Sequence, residues 1–174
     1  MTAWPWPNST WSDNSTWSDL EAVVARWRQG GDTIAFTNGC FDVLHEGHVL
    51  LLERSRQAAS RLIVAVNSDD YCRRTKGAAR PIQSGAVRLQ VVAGVSAADA
   101  VVVFDHASPA RLLALIKPDV YLLGSDYRHQ IIPGTEYCGK LDFVERLIGF
   151  STTVTLERLQ RVDSTPVATD WRPV

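Results

Sequence analysis

A chain of 174 residues with 45% hydrophobic side chains and a formal net charge of −1 has the size and composition of one globular domain with a sizeable core. Near-neutrality argues against a broad cationic surface for nucleic acid, and no apolar run is long enough to span a bilayer. There is no charged leader followed by an apolar stretch, and Cys40, Cys72 and Cys138 lack metal-ligand spacing, so the expectation is a reduced, cytoplasmic protein.

The first nineteen residues hold Asn-Ser-Thr-Trp-Ser-Asp twice in succession, at 8–13 and 14–19, together with four of the six tryptophans. Two copies are too few for a solenoid, which leaves residues 1–19 as an expected flexible tail. Trp17 is a candidate staple for the helix that follows. Ser18, with Glu21 three residues on, forms a capping box that opens a predicted helix over 19–28, and Gly30-Gly31 stops it. Residues 33–37 form a short β-rich run. It breaks into a polar, glycine-bearing turn and then a predicted helix over 47–59. In that turn, His45 and His48 bracket Gly47 at a spacing that puts both imidazoles on one face of a helix N-terminus, where exposed N–H groups attract phosphate.

Further on, residues 62–66 are continuously apolar, as expected of a strand covered on both faces. A helix over 84–95, a strand over 100–104 and a helix opened by Ser108-Pro109 and closed at Lys117-Pro118 follow. The remaining elements are strands over 120–123 and 142–146 and a last helix from the Ser151-Thr152-Thr153 cap to about residue 160, with 161–174 as a C-terminal tail. Strands alternating with helices predict an α/β, Rossmann-like, doubly wound parallel sheet of five strands. Ligands in such sheets bind beyond the carboxyl ends of the strands, where strand order reverses.

The segment Thr37-Asn-Gly-Cys-Phe-Asp-Val-Leu-His-Glu-Gly-His48 resembles the His-x-Gly-His signature of a nucleotidyltransferase superfamily. Its wording is most similar to the adenylyltransferase domain of the D-glycero-β-D-manno-heptose 1-phosphate adenylyltransferases. The resemblance covers residues 20–160 and includes Val64-Ala-Val-Asn-Ser-Asp69, Lys76-Gly77, Arg80-Pro81-Ile82, Pro118-Asp119-Val120, Gly124-Ser-Asp-Tyr127 and Arg146-Leu-Ile-Gly-Phe-Ser-Thr-Thr153, in order. It implies transfer of a nucleoside monophosphate from a triphosphate, ATP favoured, to a sugar 1-phosphate such as heptose 1-phosphate, giving an ADP-sugar and pyrophosphate. A phosphorylated acceptor is already ionised at neutral pH, so catalysis there is expected to be positioning and charge neutralisation rather than strong general-base chemistry.

The same resemblance distributes the roles. His45, His48, Lys76 and Arg88 are the expected catalytic residues, with Lys76 in a loop on the acceptor phosphate and Arg88 reaching the phosphates from a helix. Thr37, Asn38, Gly39, Phe41, Gly47, Gly124, Asp126, Arg146, Ser151, Thr152 and Thr153 form the expected nucleotide-binding set. Within it, Phe41 is expected to pack under the motif. Asp42 is expected to orient the loop, while Arg73, Arg74 and Arg80 read as a solvated basic patch. Mg²⁺ is expected to be carried mainly on the phosphates, since no all-protein cage is visible. A homodimer is also implied, and with no fused kinase segment in the sequence a stand-alone transferase is expected.

Three differences from the heptose enzymes bear on the acceptor. Leu123 stands where a lysine is usual, Gly85-Ala86-Val87 replaces an acidic pair before Arg88, and Glu46 fills a place between the histidines normally held by a neutral residue. A cytidylyltransferase making a CDP-alcohol or CDP-sugar, and a non-catalytic nucleotide-binding regulator, remain as alternatives.

Overall fold

The computed structural model describes residues 17–104, 108–147 and 149–161. The duplicated hexapeptide and C-terminal tail expected from sequence fall outside these residues, apart from the start of the first helix and the end of the last. Five strands, β1 (Ile34–Gly39), β2 (Arg61–Asn67), β3 (Ala100–Phe104), β4 (Val120–Gly124) and β5 (Lys140–Val144), form one parallel sheet in the order β3-β2-β1-β4-β5. The register pairs Thr37 with Val64 across β1 and β2, and Phe36 with Tyr121 across β1 and β4. The chain therefore runs outward from β1 to β3, then returns to β1's other side. This reversal opens a crevice at the carboxyl ends of β1 and β4.

Alternation along the strands sorts their side chains into two cores. Ile34, Phe36, Ile63, Ala65, Tyr121 and Leu123 face α1 (Trp17–Gln29) and α5 (Ala110–Ile116), meeting Leu20, Val24, Trp27, Leu112, Leu113 and Ile116. Ala35, Leu62, Val64, Val66, Val101 and Leu122 face the other way, onto Leu52 of α2 (Glu46–Gln57) and Leu89 and Val92 of α4 (Gly85–Ala93). Each fully buried Leu, Ile or Phe contributes about 1.5–3 kcal/mol of transfer free energy. Both faces are covered, which accounts for the unbroken apolar runs.

Four details depart from the sequence expectation. The first helix begins at Trp17, two residues before the predicted start. A helix, α3 (Asp69–Lys76), occupies what was expected to be loop, so Lys76 is a helical residue. The strand expected over 142–146 lies at Lys140–Val144, leaving Arg146 in the connection beyond it. The β4–β5 crossover, for which no element was expected, carries two 3-10 turns, Ser125–Tyr127 and Thr135–Tyr137.

Candidate active site

The residues after β1 fold into a tightly held loop. Phe41 and Val43 both adopt left-handed backbone conformations, with φ of 49° and 52°. For a β-branched or bulky side chain that is a genuine outlier, tolerated only where the surroundings impose it. Asp42, between them and 1% exposed, supplies the constraint. One carboxylate oxygen accepts from Arg80 Nε at 2.8 Å and Ile82 N at 2.9 Å, and the other accepts from Gln83 N at 3.0 Å. Arg80, its side chain only 13% exposed, is thus a partner of the loop, and its expected place in a solvated patch is corrected. Asp42 orients the loop, as its position in the motif suggested.

The loop delivers His45 to the N-cap of α2 and His48 to its first turn. Their rings stack with centroids 3.8 Å apart, and Phe41 packs against His48 at 5.4 Å. A Cβ on Gly47 would lie 3.2 Å from the His45 ring, so glycine is what lets the imidazole fold back over the helix end. Burial, then the charges of Arg146 and Lys76, holds His45 below the usual histidine range. Burial, then His45 and Lys76, pushes His48 down to about 3. Both rings are therefore neutral at physiological pH in the free protein.

The N-terminus of α6 (Thr152–Arg161) meets this loop. Ser151 caps the helix, its hydroxyl accepting from Val154 N at 3.1 Å. Thr152 Oγ1 donates to the Asp42 carbonyl at 2.7 Å, and the Phe150 carbonyl lies 3.7 Å from the site of a Gly47 Cβ. The N-termini of α2 and α6 therefore sit side by side, each with first-turn N–H groups that the helix itself cannot satisfy. Thr153 is exposed at the same end, and Arg146 and Lys76 are exposed cations that form no hydrogen bond or ion pair with other described residues.

The buried polar side-chain atoms left without a partner among the described residues are Thr37 Oγ1, Asn67 Oδ1, and Nδ1 of His45 and of His48. All lie near the carboxyl ends of β1 and β2 or in the segment after β1. Such groups are costly to bury unpaired, which makes this edge of the sheet the candidate place for an added molecule. Asn38 accepts from the Tyr121 hydroxyl, and Gly39 leaves 3.3 Å between its missing Cβ and the Phe41 ring. Gly124 ends β4, and a Cβ there would fall 2.5 Å from Asp126 Oδ1, so glycine lets that carboxylate curl back toward the strand end.

Arg88 was expected to reach the phosphates from its helix, and the structure turns it inward instead. It is fully buried, donating to the Gln83 carbonyl at 3.0 Å, to the Cys40 carbonyl, and to Asp69 Oδ1 at 2.6 Å. Gly85 stands 3.4 Å from that Asp69 oxygen at its missing Cβ, so the acidic partner of Arg88 comes from α3 where the neighbouring helix residues supply none. Asp69 and Arg80 are the residues that sequence reading missed. The Ser68 cap, which accepts from Tyr71 N, was the available signal for the first. Leu123 is 3% exposed within the core, so its difference from lysine acts through packing and not through an open charge. Glu46 is exposed in the first turn of α2 and does add an acid beside the histidines.

A family model described as cytidylyltransferase-like matches residues 36–167. The chain belongs to this family of nucleotidyltransferases. It is 47% identical over 142 residues to a bifunctional protein HldE of Acidiphilium cryptum, covering 79% of this chain and 29% of that one. A second bifunctional protein HldE, from Koribacter versatilis, is 44% identical over 147 residues, covering 82% of this chain and 30% of that one. The chain thus spans about three tenths of the length of these relatives. Its fold is shared with a lipopolysaccharide core biosynthesis protein from Thermoplasma volcanium, at a TM-score of 0.59 and 23% identity, covering 67% of this chain and 99% of that one.

Proposed function

We propose that this chain transfers the adenylyl group of ATP to the phosphate of a sugar 1-phosphate, heptose 1-phosphate being the favoured case, and releases pyrophosphate. An acceptor phosphate oxygen forms a bond to the α-phosphorus, and the bond from that phosphorus to the β-phosphate bridging oxygen breaks. The observation that carries this reading is the meeting of two helix N-termini across the Thr152–Asp42 hydrogen bond, with both histidines between them. The helix ends and Arg146 hold the β- and γ-phosphates, Ser151 and Thr152 fixing the cap that aims the α6 N–H groups. His45 and His48 donate hydrogen bonds to oxygens of the reacting phosphate, where negative charge grows in the transition state. Lys76 meets the acceptor phosphate, and Asp126 accepts from nucleotide or sugar hydroxyls. Arg88 acts as a positioning residue under the loop.

A divalent cation fits as part of the substrate. Its donors would be mainly phosphate oxygens carried in by the nucleotide, because a triphosphate brings a dense set of hard oxygen ligands. The acceptor assignment follows the resemblance of the motif and the likeness to the HldE proteins. Glu46 lowers the positive potential beside the histidines and makes the acceptor the part of the reading to test first. Pyrophosphate release is measured with ATP, CTP, GTP and UTP against several phosphorylated sugars and alcohols. Release with ATP and a sugar 1-phosphate is expected. Release with CTP alone would replace the ADP-sugar product by a CDP compound, and release with no pair would leave a nucleotide-binding protein without turnover.

A further inference from the structure

The sulfur atoms of Cys40 and Cys72 stand 2.9 Å apart, far inside ordinary van der Waals separation for two thiols. Cys40 opens the motif loop, and Cys72 lies on α3, whose last residue is Lys76. Thirty-two positions of sequence separate them, and the fold closes that distance completely. The Cys72 thiol donates to Cys40 Sγ, and Asn67 Nδ2 reaches the same sulfur at 3.8 Å. Cys72 is fully buried and Cys40, at 9% exposed, is the less enclosed of the two residues. The Cys72 hydrogen bond, then the charges of Lys76 and Arg88, bring the Cys40 thiol down to about 6 against the effect of burial. The hydrogen bond to Cys40, and then burial, push the Cys72 thiol the other way. Nothing in the proposed transfer uses either thiol.

We propose that Cys40 and Cys72 are a peroxide-oxidisable pair whose reversible disulfide ties the motif loop to α3 and lowers turnover. The Cys40 thiolate attacks a peroxide oxygen, the O–O bond breaks, and hydroxide leaves, giving a sulfenic acid on Cys40. Cys72 sulfur then displaces hydroxide from Cys40 and loses its proton, so two thiols and one hydrogen peroxide give one disulfide and two waters. Closing the sulfurs to about 2.05 Å shortens their separation by just under an ångström and tethers the loop to α3. The carbonyl of Cys40 accepts from Arg88, and the next residues are the left-handed Phe41 and the anchored Asp42, so the strain passes along the loop toward His45. The loss of turnover rests on the proposed function; formation of the bond does not.

The full-length chain, reduced and then treated with hydrogen peroxide, is peptide-mapped and assayed for pyrophosphate release before treatment, after it, and after dithiothreitol. A Cys40–Cys72 cross-linked peptide is expected, with about a tenfold loss of rate that dithiothreitol restores. Cys72→Ala and Cys72→Ser should keep the basal rate, form no cross-link, and leave a Cys40 sulfenic acid that dimedone traps. Two results would overturn the proposal: Cys138 oxidised while Cys40 and Cys72 stay reduced, or the cross-link formed with the rate unchanged. A reduced chain that releases no pyrophosphate with any substrate counts against the proposed function, while the peptide map still decides whether the pair is oxidisable.

Discussion

Two imidazoles stacked 3.8 Å apart in a half-buried crevice resist protonation together, because each charge would be poorly solvated and would repel the other. His48 carries the larger cost. An unfolded chain binds a proton there below about 6.5, whereas the folded chain does so only near 3. Throughout that window protons favour the unfolded state, so stability falls as pH falls, by at most about 1.4 kcal/mol per unit from this group. Urea unfolding between pH 6.5 and 5, where few carboxylates titrate, should show the decline, and His48→Gln should flatten it. An unchanged slope in that variant would mean His48 is not desolvated as described. Gly47 separates activity from stability in the opposite sense. Alanine there should strengthen α2 by up to about 1 kcal/mol yet crowd the His45 ring, lowering the rate of pyrophosphate release about tenfold or more. A variant with raised Tm and full activity would show that the imidazole has room to move.

Among the elements, α6 is the least anchored. From 151 to 159 none of its side chains is fully buried, and its ties to the body include the Thr152–Asp42 bond. Elements with few buried contacts open locally at low free energy. Amide exchange should therefore be fastest in α6 among the described helices, and saturating ATP should slow it there more than in α5, which lies in the core away from the crevice. Equal slowing in both would detach α6 from the nucleotide. The elements also explain what could be read from sequence. The apolar strands and the Ser151 cap were visible because each carries a local pattern. The helix α3 was not, since Asp-Asp-Tyr-Cys-Arg-Arg-Thr-Lys offers one buried residue, Cys72, and no apolar stripe. The Asp42–Arg80 and Arg88–Asp69 pairs were equally hidden, because contacts across 38 and 19 positions leave no periodic trace.

At the scale of the whole molecule the sheet has two chemically distinct edges. The carboxyl edge gathers the orphaned polar atoms. The amino edge is stitched closed: Asp119 Oδ2 accepts from Ile34 N and Arg28 Nη1, each at 2.6 Å, and Asp99 Oδ2 accepts from Leu62 N at 2.8 Å. These carboxylates satisfy strand-opening N–H groups that no neighbouring strand reaches. Replacing Asp119 by alanine should cost about 1–3 kcal/mol of stability by leaving the Ile34 N–H buried and unpaired, with asparagine costing less. Activity of the folded protein should stay within about twofold in both, because the substitution is at the far end of the strands from the histidines. A large change in rate with little change in the denaturation midpoint would contradict this division of labour. The motif alone pointed to the carboxyl edge, and the register of five strands explains why its distant companions arrive there.

The hydrogen bond from Thr152 to the Asp42 carbonyl spans 110 positions of chain. During synthesis the loop bearing both histidines leaves the ribosome well before α6, whose N-terminus completes the crevice and which follows β5. A nascent chain that has emerged only as far as β5 can assemble its sheet, but its half-built crevice still lacks the second helix end. On the proposed function, the capacity to grip a triphosphate arrives with α6, the last of the described helices, and the finished crevice certifies that translation has passed it.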